Sequence, residues 1–248
     1  MSLEPPLSPL TPEALNAIDS TPGHLPVPPD AMARKARFWD RIARRYAADP
    51  VADPAGYEAT LLRVQGLLGA HQNVLELGCG TGSTALRLAP YAGQWLGTDI
   101  SAGMITIAHE KLAATPVPQL RFALADAEAP AFGSGRWDVV TAFNLLHLVD
   151  DLEQTLNVAL QALKPGGLFI AKTPCLREMN PVAAWLLPLA LPLMRAIGAA
   201  PQVRFFNSAA LEAALRQRGF DIEAVERHGR RGKDIRVFIV ARKPLATC

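Results

Sequence analysis

The fold is decided at "VLELGCGTGSTA", residues 74–85. An apolar run carries the carboxylate Glu76, and glycines then alternate at Gly78, Gly80 and Gly82. Such a run reads as a buried strand, and a glycine turn between a parallel strand and its helix lets a ligand approach the backbone closely. The helix N-terminus that follows adds amide N–H groups left unused by the helix itself. Alone, this says only that the ligand is nucleotide-like. Spacing says more. A dinucleotide turn has the form G-x-G-x-x-G, whereas here the third glycine comes one position early and position 83 is Ser. Glu76, just ahead of the turn, opposes a pyrophosphate and suits a cationic or amine-bearing ligand.

Working outward from Gln72, short apolar runs alternate with helical stretches. "NVLEL" leads to a helix ending near Ala89, and "QWLGTD" to one opening at Ser101. "LRFALAD" comes next; "WDVVTAF" leads to a helix over about 150–163, then "GGLFIAKT". That alternation specifies an α/β fold with parallel strands and crossover helices. Lys164, Pro165, Gly166 and Gly167 are expected to end one helix and turn into the next strand. The tail differs: a helix "SAALEAALRQRG" precedes "DIEAVER" and "DIRVFIVARK", joined by "HGRRGK", which read as an antiparallel hairpin at the sheet edge.

Upstream, residues 1–32 hold eight prolines and little periodicity, and read as a flexible arm. Residues 33–70 read as a helical cap. One helix places Phe38, Ile42 and Tyr46 on one side and Arg34, Arg37, Arg41, Arg44 and Arg45 mostly on the other. A second carries Tyr57, Leu61, Val64 and Leu68 on a stripe. Residues 175–205 read as an apolar insert, with a stretch free of charge from Met179 to Met194. Pro188 and Pro192 interrupt it, and it is shorter than the ~18 apolar residues of a membrane span. It is therefore buried core, a lid over an acceptor, or a membrane-surface element, with the lid preferred.

At 248 residues, 50% hydrophobic and 19% charged, the chain has ample material for a core. A net charge of +2 is not that of a dedicated nucleic-acid binder. Cys79, Cys175 and Cys248 are too scattered for a metal site or a disulfide framework, which fits a reducing compartment. No basic-then-apolar leader opens the chain, so a cytoplasmic location is expected, with contact at a membrane surface as an option.

Two further carboxylates complete the ligand reading. Asp99 ends the second strand, 17 residues beyond Gly82, where a carboxylate accepts from ribose hydroxyls. Asp126 ends the third apolar run, placed to accept from an adenine amino group, with Ile100 and Ala127 against the adenine faces. Together "VLELGCGTGSTA", "GTDIS", "ADAEAP", "WDVVTAFNLLHLV" and "LKPGGLFIAKT" resemble, in order and spacing, the motifs of class I S-adenosylmethionine-dependent methyltransferases. The resemblance spans about 35–242. It implies a Rossmann-like, doubly wound seven-stranded sheet with an antiparallel last strand. It implies that Glu76, Gly78, Cys79, Gly80, Gly82, Asp99, Ile100, Asp126 and Ala127 line the S-adenosylmethionine site, with Asn144 and Leu145 at its methionine end. Trp39, Tyr46 or Tyr57 of the cap would then lie near the methyl donor, and Tyr46 reads equally as core or as lid.

His147, just past the fourth strand, is the candidate general base, set against a purely structural role; His109 and His228 are expected to face solvent. The acceptor reads as small, apolar or lipid-like, because "NLLH" lacks the Asn/Asp-Pro-Pro-aromatic run of similar base methylators. No metal is expected. The rival readings are a nicotinamide-dependent oxidoreductase and a non-catalytic module that binds the cofactor.

Overall fold

The computed structural model describes residues 29–178, 203–229 and 236–245. Residues 1–28 of the arm, 179–202 of the insert, 230–235 of the hairpin loop and 246–248 lie outside the described residues. Helix α1, Pro29–Ala48, opens within the stretch read as arm, and α2 follows at Pro54–Gln65, with Asp53 capping its amide at Gly56. Then come β1 (Asn73–Leu77), the short α3 (Ser83–Leu88), β2 (Gln94–Asp99), α4 (Ala102–Ala114) and β3 (Leu120–Leu124). The chain continues through β4 (Trp137–Phe143), α5 (Leu152–Ala162), β5 (Leu163–Pro174), α6 (Ser208–Gln217), β6 (Asp221–His228) and β7 (Arg236–Arg242).

The sheet order is β3-β2-β1-β4-β5-β7-β6. Strands β1 to β5 pair in parallel, and β7 runs antiparallel to both of its neighbours. The hairpin is thus present, but β7 is slotted one place in and β6 forms the edge. β5 also begins earlier than expected. Leu163 already pairs with Trp137, the register shifts, and the strand passes through "KPGG". Gly166 permits this at φ +77°, and its amide binds the Lys243 carbonyl at 2.9 Å.

The order in which strands are added across the sheet reverses between β1 and β4, which run parallel, and in such sheets the crevice at the carboxyl ends of those strands receives the ligand. The two faces differ in chemistry. One is sealed by α5 and α6, where Leu75, Leu77, Val140, Phe169, Val237 and Ile239 pack against Leu156, Leu211 and Leu215. The other carries Val74, Val139, Ile170, Phe238 and Val240 under Leu61 and Val64 of α2 and Ala85 and Leu88 of α3. Side chains alternate along a strand. By that parity Glu76, Thr141, Lys172, Glu226, His228 and Arg236 all lie on this second face.

Helix α1 docks on α4. Ala43, Met104 and Ile107 form a small cluster with Trp39 and Ala47. Asp40 accepts from Ser101 Oγ at 2.6 Å and from the Gly103 amide at 2.9 Å. Gly103 allows the approach, since a Cβ there would sit 3.2 Å from that of Ala43. Arg44 forks onto both oxygens of Glu110, so one of the arginines of α1 ties it to α4 while staying exposed to solvent.

Candidate active site

The glycine loop is built by three residues with different tasks. All three have positive φ, between +55° and +74°, which side chains resist. A Cβ on Gly78 would meet Leu145 at 2.7 Å, and one on Gly82 would meet the Phe122 ring at 2.5 Å. Those two are glycines because the fold closes on them. A Cβ on Gly80 would meet nothing within 4 Å, and Gly80 lines a cavity of about 330 Å³. Gly80 is thus the bare backbone surface left for a ligand.

The loop is held from outside. Asp99 accepts the Gly80 amide on one oxygen and the Ser101 amide on the other, both at 2.9 Å. A carboxylate has further lone pairs for ligand hydroxyls. Burial raises its pKa, an effect the two amides oppose and the charge of Asp40 adds to. Lys111 of α4 binds Thr81 Oγ1 and Ser83 Oγ, each at 2.8 Å.

Glu76 is almost inaccessible (1%) and lines the cavity. Trp95 Nε1 donates to it at 3.1 Å, a partner the sequence pattern did not flag. Burial, reinforced by the charge of Asp99 and opposed by Trp95, pushes its pKa up to about 8. The group is therefore mostly neutral at pH 7 until a cation arrives, and a cationic ligand favours its ionised form.

Of the expected residues, Tyr46, Glu76, Gly78, Cys79, Gly80 and Asn144 lie on the cavity wall among the described residues, together with Tyr57. Tyr46 keeps 49% of its surface, so it is no core residue. Tyr57 meets Thr84 Oγ1 at 3.2 Å, whereas Trp39 packs into the α1–α4 cluster. Asn144 is the one non-glycine residue at positive φ among the described residues, in a region Asn tolerates, and accepts from Arg236. Gly82, Asp99, Ile100, Asp126, Ala127 and Leu145 are not on that wall. Asp99 and Asp126 form an adjacent shelf, tied by the Ala125 amide to the Asp99 carbonyl at 2.9 Å, with Asp126 accepting the Glu128 amide at 3.0 Å.

His147 is off the wall as well, with Nδ1 3.1 Å from Thr173 Oγ1, a side chain belonging by parity to the α5–α6 face. Burial, aided by the charge of Arg236, lowers its pKa to about 4, which leaves a weak base at pH 7. His109 is exposed, as expected. His228 is not: its side chain is 13% exposed, lines the cavity and stacks on Phe238 at 4.5 Å. Thr60, Lys172 and Arg236 also line the cavity and escaped the motif reading. Lysine inside the apolar strand "LFIAKT" was the available signal. Cys79 and Cys175 carry thiol pKa values raised chiefly by burial, that of Cys175 to about 12, so neither supplies a thiolate.

These walls fit S-adenosylmethionine: an open backbone face at Gly80, a cation-ready carboxyl at Glu76, and the Asp99 and Asp126 shelf beside them. Comparison with known proteins agrees. A family model described as a methyltransferase domain matches residues 74–167. A demethylmenaquinone methyltransferase of Symbiobacterium thermophilum is 30% identical over 174 residues, covering 66% of this chain and 67% of the relative. A hybrid PKS-NRPS synthetase of Emericella nidulans is 35% identical over 108 residues, of which this chain spans only 3% of the length. The fold is that of an S-adenosylmethionine-dependent methyltransferase from Mesorhizobium loti, 22% identical, at a TM-score of 0.62 over 76% of this chain and 98% of that one. The nicotinamide and non-catalytic readings give way to these matches. The chain belongs to the class I S-adenosylmethionine-dependent methyltransferase family and is an enzyme that takes its methyl group from S-adenosylmethionine.

Proposed function

We propose that the enzyme methylates a small, apolar or lipid-like acceptor. The observation that carries this is the continuity of one cavity. Its wall runs from Glu76 and Gly80 past the apolar Leu61, Val64 and Phe143 to the ends of β5, β7 and β6. When bound, S-adenosylmethionine supplies an electrophilic methyl group on a sulfonium. Glu76, Gly80 and the Asp99 and Asp126 shelf are the residues that hold it. Methyl displacement needs chiefly alignment and exclusion of water, which α2 provides by closing over the sheet face. The name of the Symbiobacterium relative, a demethylmenaquinone methyltransferase, supports an acceptor of the apolar kind. So does the uncharged run from Met179 to Met194, for which we keep the role of lid. Among the described residues no helix is long and apolar enough to cross a membrane. Cytoplasmic residence, with surface contact where a lipid-like acceptor lies, belongs to the same proposal.

The test offers the enzyme methyl-labelled S-adenosylmethionine with a fractionated cell extract. Label is expected in the organic-soluble fraction and among small aromatic or lipid products. Label confined to nucleic acid or protein overturns the proposal.

A further inference from the structure

Away from the glycine loop the cavity wall carries a set of polar side chains to which the cofactor reading assigns no task. Lys172 lies within β5, 9% exposed, and donates to Thr60 Oγ1 of α2 at 2.7 Å. Thr60 Oγ1 is 3.0 Å from His228 Nδ1. His228 Nε2 is 3.0 Å from Glu226 Oε2, whose other oxygen accepts from Arg63 Nε at 2.9 Å. Three elements that are remote in sequence, α2, β5 and β6, thus build one chain of four groups: ammonium, hydroxyl, imidazole, carboxylate. Burying an ammonium costs several kcal/mol, and a wholly apolar pocket would not need one.

We propose that Thr60, Lys172 and the His228–Glu226 pair form the acceptor subsite, and that its ligand is a weakly acidic hydroxyl, a phenol or an enol, held there as its anion. The inference rests on the methyltransferase reading above and narrows its acceptor. Thr60 has one hydroxyl proton and two acceptors for it, the Gly56 carbonyl at 2.7 Å and His228 Nδ1. Turned to His228, it leaves its lone pairs facing the Lys172 ammonium and the cavity. The acceptor O–H then gives its proton to Thr60 Oγ1 while the Thr60 proton passes to His228 Nδ1. The Nε2 proton stays on its bond to Glu226. The products are an oxyanion beside Lys172 and an imidazolium paired with the Glu226 carboxylate, so charge and protons balance.

Other charged groups lie on or beside this wall. Arg236 of β7 adds a second cation near Asn144. Glu226 is already shared between Arg63 and His228. Asp53 caps α2, Asp49 lies in the segment between α1 and α2, and Glu76 is held mostly neutral by burial.

The test uses 4-nitrophenol, whose absorbance separates phenol from phenolate, with the full chain saturated in S-adenosylhomocysteine and also without it. One pH unit below the solution pKa of the reporter, the bound form is expected to show the phenolate band. Lys172→Met should cut the bound phenolate fraction at least tenfold, and Thr60→Val and His228→Gln several-fold, with calorimetric S-adenosylhomocysteine affinity within twofold of the parent. Circular dichroism checks each fold; should Lys172→Met not fold, the other two variants carry the same reading. A reporter that does not bind, that binds as neutral phenol, or whose phenolate band survives in the folded variants overturns the proposal. Failure of S-adenosylhomocysteine to bind the parent protein would instead count against the cofactor site, and the spectrum without it still reads the subsite.

Discussion

The two ends of the cavity are built on opposite plans. At the glycine loop the contact surface is main chain, set by residues 78–84 and braced by Asp99 and Lys111. At the other end it is side chain, drawn from α2, β5, β6 and β7 across more than 160 positions of sequence. A backbone surface is nearly indifferent to what lies elsewhere in the chain, so it suits a cofactor shared by a family. A side-chain surface assembled by strand pairing changes with a single substitution, so it suits the acceptor choice proposed for it.

That contrast can be broken at single positions. The largest effect is expected at Gly80. Gly80→Val puts a side chain into the ligand space and should weaken S-adenosylmethionine binding by at least about 100-fold, roughly 3 kcal/mol, while its strain at φ +55° lowers the melting temperature less than a clash would. Gly82→Val, aimed at Phe122, should instead lower the melting temperature sharply. Equal thermal loss in both would show that Gly80 is structural too.

Next comes Glu76. Its folded pKa of about 8 stands above its ordinary 4.5, so the folded state holds a proton that the unfolded chain releases. Its contribution to stability is therefore complete below pH 4.5 and is lost as pH rises toward 8, on the order of 5 kcal/mol across the whole window. In Glu76→Gln the unliganded protein should show a flatter stability profile across that window, and cofactor binding at pH 7 should no longer release a proton. Calorimetry in buffers of different ionisation enthalpy measures the second; an unchanged proton count removes Glu76 from the cation site.

Asp99→Ala follows, at about 1–3 kcal/mol of cofactor affinity, because both the ligand hydroxyls and the Gly80 amide lose an acceptor. The parent affinity in this variant would mean that the carboxylate only braces the loop. The smallest effect concerns Thr141, opposite Glu76 in the sheet, whose buried hydroxyl has no hydrogen-bond partner among the described residues. Thr141→Val should raise stability by about 1 kcal/mol, read from denaturant midpoints, and leave binding alone.

What was legible in the sequence follows from range. The alternation of strands and helices and the glycine loop rest on local signals (apolar runs, glycine spacing, carboxylates at strand ends), whereas the seven-stranded sheet is implied by the family resemblance. The early start of β5 was missed because "KPGG" reads as a turn, and only pairing with Trp137 overrides it. His228 was expected in solvent because "RHGRRGK" looks like a polar loop; β7 slots beside β6 and turns that residue onto Phe238. His147 attracted a catalytic reading from its position after β4, yet its neighbour Thr173 and the cavity-lining Lys172 are one residue apart in β5 and point to opposite faces. No local pattern distinguishes those two.

The ion pair between Arg44 and Glu110 lies in water, with side chains 71% and 48% accessible, and helps clasp the helix whose Tyr46 and Ala47 roof the cavity mouth. Exposed ion pairs weaken as electrolyte thins their field. Column buffers rich in salt should therefore strip this enzyme of carried-over nucleoside faster than dilute ones, and crystals meant to retain it are best grown from precipitants low in electrolyte.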